Sequence, residues 1–163
     1  MTFTQSNDET ISQAVKAIQS LDVDDQLGWF YFTYKEMGSS ITPAAPGAST
    51  VGTDVAEGLF NQIKEMSHEQ QLQLQRDLIN KADTEYTRMY GSMSETTKLL
   101  VWYRLAQGMD SATIIPMPSD YKLSSQAEEV LNQIKGMEFQ QQITLFRDYV
   151  GPMGAEPAGG SEI

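Results

Sequence analysis

An all-α protein built from two copies of one helical unit is the fold class that this sequence predicts. Three observations carry it. Apolar residues recur at helical spacing between capping signals, no run alternates with the period of a strand, and two segments 71 residues apart repeat one another.

Taken in order, Ser6 with Glu9 forms a capping box ahead of Ile11, Val15, Ile18 and Leu21, which share one helix face. Asp22 caps a second helix that holds LGWFYFTY (27–34) and stops at Gly38; the loop SSITPAAPGAST follows. Asp54 precedes a third helix with Val55, Leu59, Phe60, Ile63 and Met66, and Ser67 with Gln70 opens a fourth carrying Leu74 and Leu78. A short helix spans about 84–90, closed by Gly91, and a longer one about 95–109. Two prolines forbid helix within SATIIPMPSDYKLS (111–124). Ser125 with Glu128 starts the next helix, Gly136 closes it, and the last ends near Tyr149. Residues 1–150 are then one domain, and GPMGAEPAGGSEI (151–163) is expected to be a flexible tail.

The repeat is explicit. NQIKEMSHEQQLQLQRD (61–77) and NQIKGMEFQQQITLFRD (132–148) agree at ten of 17 positions. Upstream the register shifts by one residue, pairing Leu27 with Leu99, Phe30 with Trp102, Tyr31 with Tyr103, Met37 with Met109 and Pro46 with Pro118. The halves run over about 22–80 and 94–150. A helical unit that cannot bury its own face packs against its copy, here about a pseudo-two-fold axis.

Composition removes most chemistries. The chain has no cysteine, so disulfides, thiolate metal sites and cysteine nucleophiles are excluded, and no metal site is expected. Its one histidine, His68, reads as a solvated first-turn residue. The net charge is −11, and the 11 Lys and Arg residues are scattered, which argues against nucleic acid as a partner. No positive N-terminus precedes an apolar run, and no segment reaches the roughly 18 apolar residues of a membrane span, so a soluble cytoplasmic protein is expected. No pairing of carboxylates and tyrosines points to a reaction, so the chain is not read as an enzyme.

What remains is an excess of rings. Five of the 15 aromatic residues lie within 29–34. At 100° per residue Leu27, Phe30, Tyr31 and Tyr34 share a face, with Trp29 and Phe32 nearly opposite. The equivalent helix places Leu99, Trp102 and Tyr103 on one stripe. If the stripes meet at the axis, either they pack as ordinary core or they wall an apolar ligand. Three features favour the ligand. Tyrosine and tryptophan stand where leucine would pack more simply, nine methionines are present, and the loops around Pro46 (AAPG) and around Pro116, Met117 and Pro118 (IIPMP) are apolar. A helix of about 15 residues measures roughly 22 Å, so such a ligand would be long and flat.

The segments DDQLGWFYFTYKEMG, TPAAPGAST, KADTEYTRMYGSMS, KLLVWYRLAQGM, IIPMPSDYKLS and QQITLFRDYVGPMG together resemble the N-terminal domain of the cyanobacterial orange carotenoid proteins, over about residues 8–154. Ending where it does, the chain resembles the stand-alone helical carotenoid proteins. The resemblance implies two interleaved four-helix bundles with a carotenoid tunnel between them. It implies a non-covalently held keto-carotenoid: canthaxanthin, echinenone or 3'-hydroxyechinenone. The matched tunnel positions are Leu27, Phe30, Tyr31, Tyr34, Leu99, Trp102, Tyr103, Met109, Met117, Tyr121 and Ile143, with Gln75 where relatives carry a methionine and Tyr31 where they carry a tryptophan. Arg147 matches an arginine that serves both tunnel and partner binding. The implied function is photoprotection by quenching singlet oxygen or excitation, without a two-domain photoswitch. The implied partners are the phycobilisome and a separate carrier resembling the family's C-terminal domain, with the chain a monomer or weak dimer, cytoplasmic and peripheral to the thylakoid. Two other readings compete: a fluorescence quencher docked on the phycobilisome, and a helical interaction module without pigment.

Overall fold

The computed structural model describes the backbone of residues 2–41 and 50–156, and side chains over 9–37 and 53–156. Among the described residues there are eight helices and no strand: α1 (Thr2–Gln19), α2 (Val23–Ile41), α3 (Thr50–Lys64), α4 (His68–Asn80), α5 (Glu85–Gly91), α6 (Glu95–Ser111), α7 (Ser125–Lys135) and α8 (Phe139–Val150). None of them is long and apolar enough to cross a membrane.

The helices pair as the repeat requires. In sequence α2, α3 and α4 are the counterparts of α6, α7 and α8. In space each long helix packs on the hairpin of the other copy, α2 against α7 and α6 against α3. The two helices outside the repeat complete the exchange, with α1 on α7 and α8 and α5 on α3 and α4. The result is two interleaved four-helix bundles, α1–α2–α7–α8 and α3–α4–α5–α6, joined where α2 meets α6 and where α2 meets α4 and α6 meets α8. Ile11, Ala14, Val15, Ile18 and Leu21 of α1 are all buried, as their spacing predicts.

The identities within the repeat have physical reasons. Gln70 Oε1 accepts from the Ser67 amide and Gln141 Oε1 from the Glu138 amide, each 3.0 Å away, closing equivalent capping boxes at α4 and α8. Gln71 and Gln142 are buried beneath the hairpin turns. Gln71 Nε2 donates to the carbonyls of Ile63 and Met66, and Gln142 Nε2 to those of Ile134 and Met137. These carbonyls lie at or just beyond the ends of α3 and α7, where the regular i→i−4 ladder has run out. Ile63, Ile134, Leu74 and Leu145 are buried beside them.

Several boundaries differ from expectation. Helix α1 already runs from Thr2, so Ser6 lies within it. Helix α2 breaks at Met37 (φ −124°, ψ 19°), one residue before Gly38, and then resumes to Ile41. Helix α3 begins at Thr50, four residues ahead of Asp54. The cap of α7 is Ser124, one residue early, because its hydroxyl also donates to buried Asp25 and is fixed there. The expected tail is packed over residues 151–156. Met153 is buried, Gly154 at φ 84° donates its N–H to the Leu78 carbonyl, and the Ala155 N–H reaches the Thr87 carbonyl. The rest of the expected tail, 157–163, lies outside the described residues.

Gln71 does more than close its turn. Its Nε2 also donates to the Thr113 carbonyl at 3.3 Å, and its Oε1 accepts from the Ile115 amide at 2.7 Å, fastening the loop 112–124 to the α3–α4 hairpin. Replacing Gln71 with Leu strips these groups of partners and is expected to destabilise the fold by about 1–3 kcal/mol. Chemical denaturation measures the loss. Gln142→Leu, which holds one hairpin only among the described contacts, should cost less.

Candidate functional site

The two long helices bring their ring stripes together. Phe30 and Trp102, the same position in the two repeats, lie 5.8 Å apart between centroids, and Tyr34 and Tyr103 are 5.4 Å apart at an interplanar angle of 73°. Leu99 is buried beside them. The polar ends of several rings are tied to protein. The Trp102 indole N–H donates to the Tyr90 hydroxyl at 3.0 Å, and that hydroxyl donates to the Val150 carbonyl at 2.7 Å. Burial pushes the Tyr90 phenol well above its ordinary range, which keeps it a donor. On the opposite face of α2, Trp29 is fully buried against Phe146 and Tyr149 and Phe32 is half-buried, so the ring cluster divides into a bundle face and a seam face. Trp29 Nε1 has no partner among the described residues. Phe30 belongs to both sides, 6.2 Å from Trp29 and 6.0 Å from Phe146.

At one end the seam widens into a cavity of about 230 Å³. Its lining comes from four elements: Asp24 and Leu27 of α2, Leu72, Gln75 and Arg76 of α4, Met109 of α6, and Ile115, Pro116, Met117, Pro118 and Tyr121 of the following loop. Gln71 holds that loop at 113–115 and Asp25 holds its other end, accepting from the Tyr121 hydroxyl at 2.8 Å and from Ser124. Burial and the Asp25 bond raise the Tyr121 pKa well above a free phenol's. The ring lies so close to α2 that a Cβ on Gly28 would stand 2.6 Å from its Cε2. At the mouth Arg76 grips Asp24 through two 2.9 Å bonds.

The repeat relates this cavity to a second place. Leu27, Leu72, Gln75, Arg76 and Met109 correspond in sequence to Leu99, Ile143, Phe146, Arg147 and Met37. Ile143 and Arg147 are thus the repeat counterparts of two cavity residues, Leu72 and Arg76; the expected site residue Pro46 lies outside the described residues. The symmetry is broken at the arginines. Thr96 stands at the repeat position of Asp24, and Arg147 Nε is buried with no hydrogen-bond partner among the described residues. A larger cleft of about 780 Å³, lined by Lys81, Asp83, Arg88, Lys98 and residues 151–156, lies away from the seam, and its charged lining does not suit an apolar ligand.

Of the expected site residues, Leu27, Gln75, Met109, Met117, Tyr121 and the loop prolines line the cavity, Phe30, Tyr34, Trp102 and Tyr103 meet at the seam, and Leu99 and Ile143 are buried. Tyr31 is different in character: half-exposed, with its hydroxyl donating to Asp110 Oδ1 at 2.7 Å beside the Lys35–Asp110 ion pair. Sequence reading missed Asp24, Asp25, Leu72, Arg76 and Ile115. Leu72 carried a signal, since its repeat mate Ile143 was among the expected residues. Asp25 carried none, because its partners lie 96 and 99 residues away.

Desolvation, then the bond to Asp110, pushes the Tyr31 pKa from 10.0 up to about 12, and Tyr34 is also raised, chiefly by burial. Below pH 10 folded and unfolded chains both keep the Tyr31 proton. Between pH 10 and about 12 only the unfolded chain loses it, so stability should fall with rising pH across that window. Ultraviolet phenolate titration of wild type against Tyr31→Phe checks this: the variant should lack one late-titrating tyrosine.

Known proteins match this arrangement. Residues 4–156 match the family model "Orange carotenoid protein, N-terminal". An orange carotenoid-binding domain-containing protein of Nostoc sp. is 46% identical over 149 residues, 91% of this chain and 86% of that protein. The orange carotenoid-binding protein of Synechocystis sp. is 40% identical over 146 residues, which are 90% of this chain and 45% of that protein, so the chain spans about half its length. The solved structure of the Anabaena (Nostoc) sp. red carotenoid protein binding canthaxanthin superposes with a TM-score of 0.82 at 60% identity, covering 90% of this chain and 99% of that one. The fold is therefore shared with these relatives, and the chain belongs to the family of the orange carotenoid protein N-terminal domain.

Proposed function

We propose that this protein binds a keto-carotenoid of the canthaxanthin type non-covalently along the α2–α6 seam and acts in photoprotection. The observation that carries the proposal is the apolar cavity opening onto the seam, together with the canthaxanthin-binding relative of the same fold. When bound, the polyene would supply the chemistry, accepting excitation from singlet oxygen or an excited pigment and releasing it as heat.

The chain's part is solvation and shape. Leu27, Met109, Met117 and the prolines of the loop offer apolar and polarisable walls for one end of the ligand. The cavity is smaller than the roughly 300–1,000 Å³ typical of ligand pockets, so a long polyene needs the seam as well. Tyr34 and Tyr103 are the rings best suited to admit it. Both are half-buried, from opposite repeats, and their edge contact can convert to contact with a flat ligand between them. Trp102 is held by Tyr90 and forms a fixed wall.

A second reading, docking on a light-harvesting antenna, rests on Arg147, the position that the family resemblance gives to partner binding. The two readings part in one assay. Pigmented protein added to isolated phycobilisomes lowers their fluorescence if it docks, and an unchanged signal with intact singlet-oxygen quenching supports the undocked quencher.

Expression in a host that makes keto-carotenoids tests the main reading. The expected product is coloured and retains pigment through size-exclusion chromatography, and Tyr34→Leu should retain about fivefold less. A colourless, folded wild-type protein would defeat the reading in favour of a helical interaction module.

A further inference from the structure

We infer that Gln75 is a specificity-determining donor that selects an end ring bearing a carbonyl oxygen, an inference that rests on the carotenoid-binding reading above. Gln75 is 3% exposed and lines the cavity. Its Nε2 is buried with no hydrogen-bond partner among the described residues. A side-chain amide held out of water without a partner is unfavourable, so such a group calls for a specific acceptor.

The other polar groups around the cavity are already committed. Asp24 and Arg76 bind each other at its mouth, and the Tyr121 hydroxyl donates to Asp25. Among the described lining residues Gln75 alone carries a buried donor without a partner, in a lining otherwise rich in apolar groups such as Leu27, Leu72, Met109 and Ile115.

The repeat shows that an amide is not required by the fold. The same position in the second copy is Phe146, which is fully buried and packs 6.2 Å from Trp29 and 6.0 Å from Phe30. An apolar side chain therefore suits this register, and the amide in the first copy is an addition to the packing. A carbonyl on the terminal ring of a long polyene is an acceptor that an apolar cavity would otherwise leave unsolvated. A pure hydrocarbon ring offers nothing to the N–H and leaves it unpaired, the asymmetry by which sites with hydrogen-bonding groups discriminate.

The test uses the full chain expressed in a host that accumulates keto-carotenoid and β-carotene together, with the bound pigments extracted and compared with the host pool. Wild type is expected to enrich the keto-carotenoid, and Gln75→Met to lose about fivefold of that enrichment while remaining coloured, the size of one net hydrogen bond. The resonance Raman carbonyl stretch of bound keto-carotenoid should lie lower in wild type than in Gln75→Met, as a hydrogen-bonded carbonyl does. Coloured proteins with equal enrichment and equal carbonyl frequency would overturn the inference and leave the binding reading standing, with water as the partner of the amide. A colourless wild type would overturn both. If Gln75→Met folds poorly, Gln75→Leu serves the same comparison.

Discussion

Phe30 and Trp102 occupy the same position in two copies of one helical unit, and they meet at the axis that relates those copies. Neither copy encloses its own aromatic face. Helix α2 packs on α7 of the other half and α6 on α3, so each long helix presents one side to a bundle and the other to the seam. The ring pair is made where α2 meets α6, and the exchange of hairpins ties the two small bundles together around it. The turn-closing glutamines, the capping boxes and the added helices α1 and α5 keep that exchange in register.

Breaking the symmetry makes the site. Identical repeats would give identical ends, yet Gln75 lines a cavity where its repeat mate Phe146 fills the core, and Arg76 pairs with Asp24 whereas the second copy has Thr96 at the position of that aspartate. One end of the seam thus holds a defined apolar chamber with a single free amide donor among its described lining. The second copy carries in Arg147 a cation whose buried Nε has no partner among the described residues. Pigment selection and partner contact would then be assigned to different copies of the repeat.

Much of this was legible in the sequence because it is local or repeated. The helices follow from period and caps, Gln70 and Gln141 announce their capping boxes, and the angular split of LGWFYFTY separates Trp29 from Phe30 well enough to anticipate a seam. The apolar loop IIPMP lines the cavity because its neighbours had to bury something. What stayed hidden depends on long-range partners. That Asp25 captures Tyr121 and Ser124, that Gln71 reaches forward to Ile115, and that residues 151–156 tuck under α5 are contacts across tens of residues, with no periodic trace. The unpaired state of Gln75 Nε2 is invisible in one dimension, since no sequence pattern tells whether a buried amide finds a partner.

The central claim is that the seam itself holds the ligand, with Tyr34 and Tyr103 on either side. The structure of the pigmented protein tests it most directly, through the Tyr34–Tyr103 centroid distance, 5.4 Å in direct contact. The account expects that distance to lengthen with polyene density between the rings and one end ring in the cavity beside Gln75. Pigment bound elsewhere, with the two tyrosines still in edge contact, would contradict it.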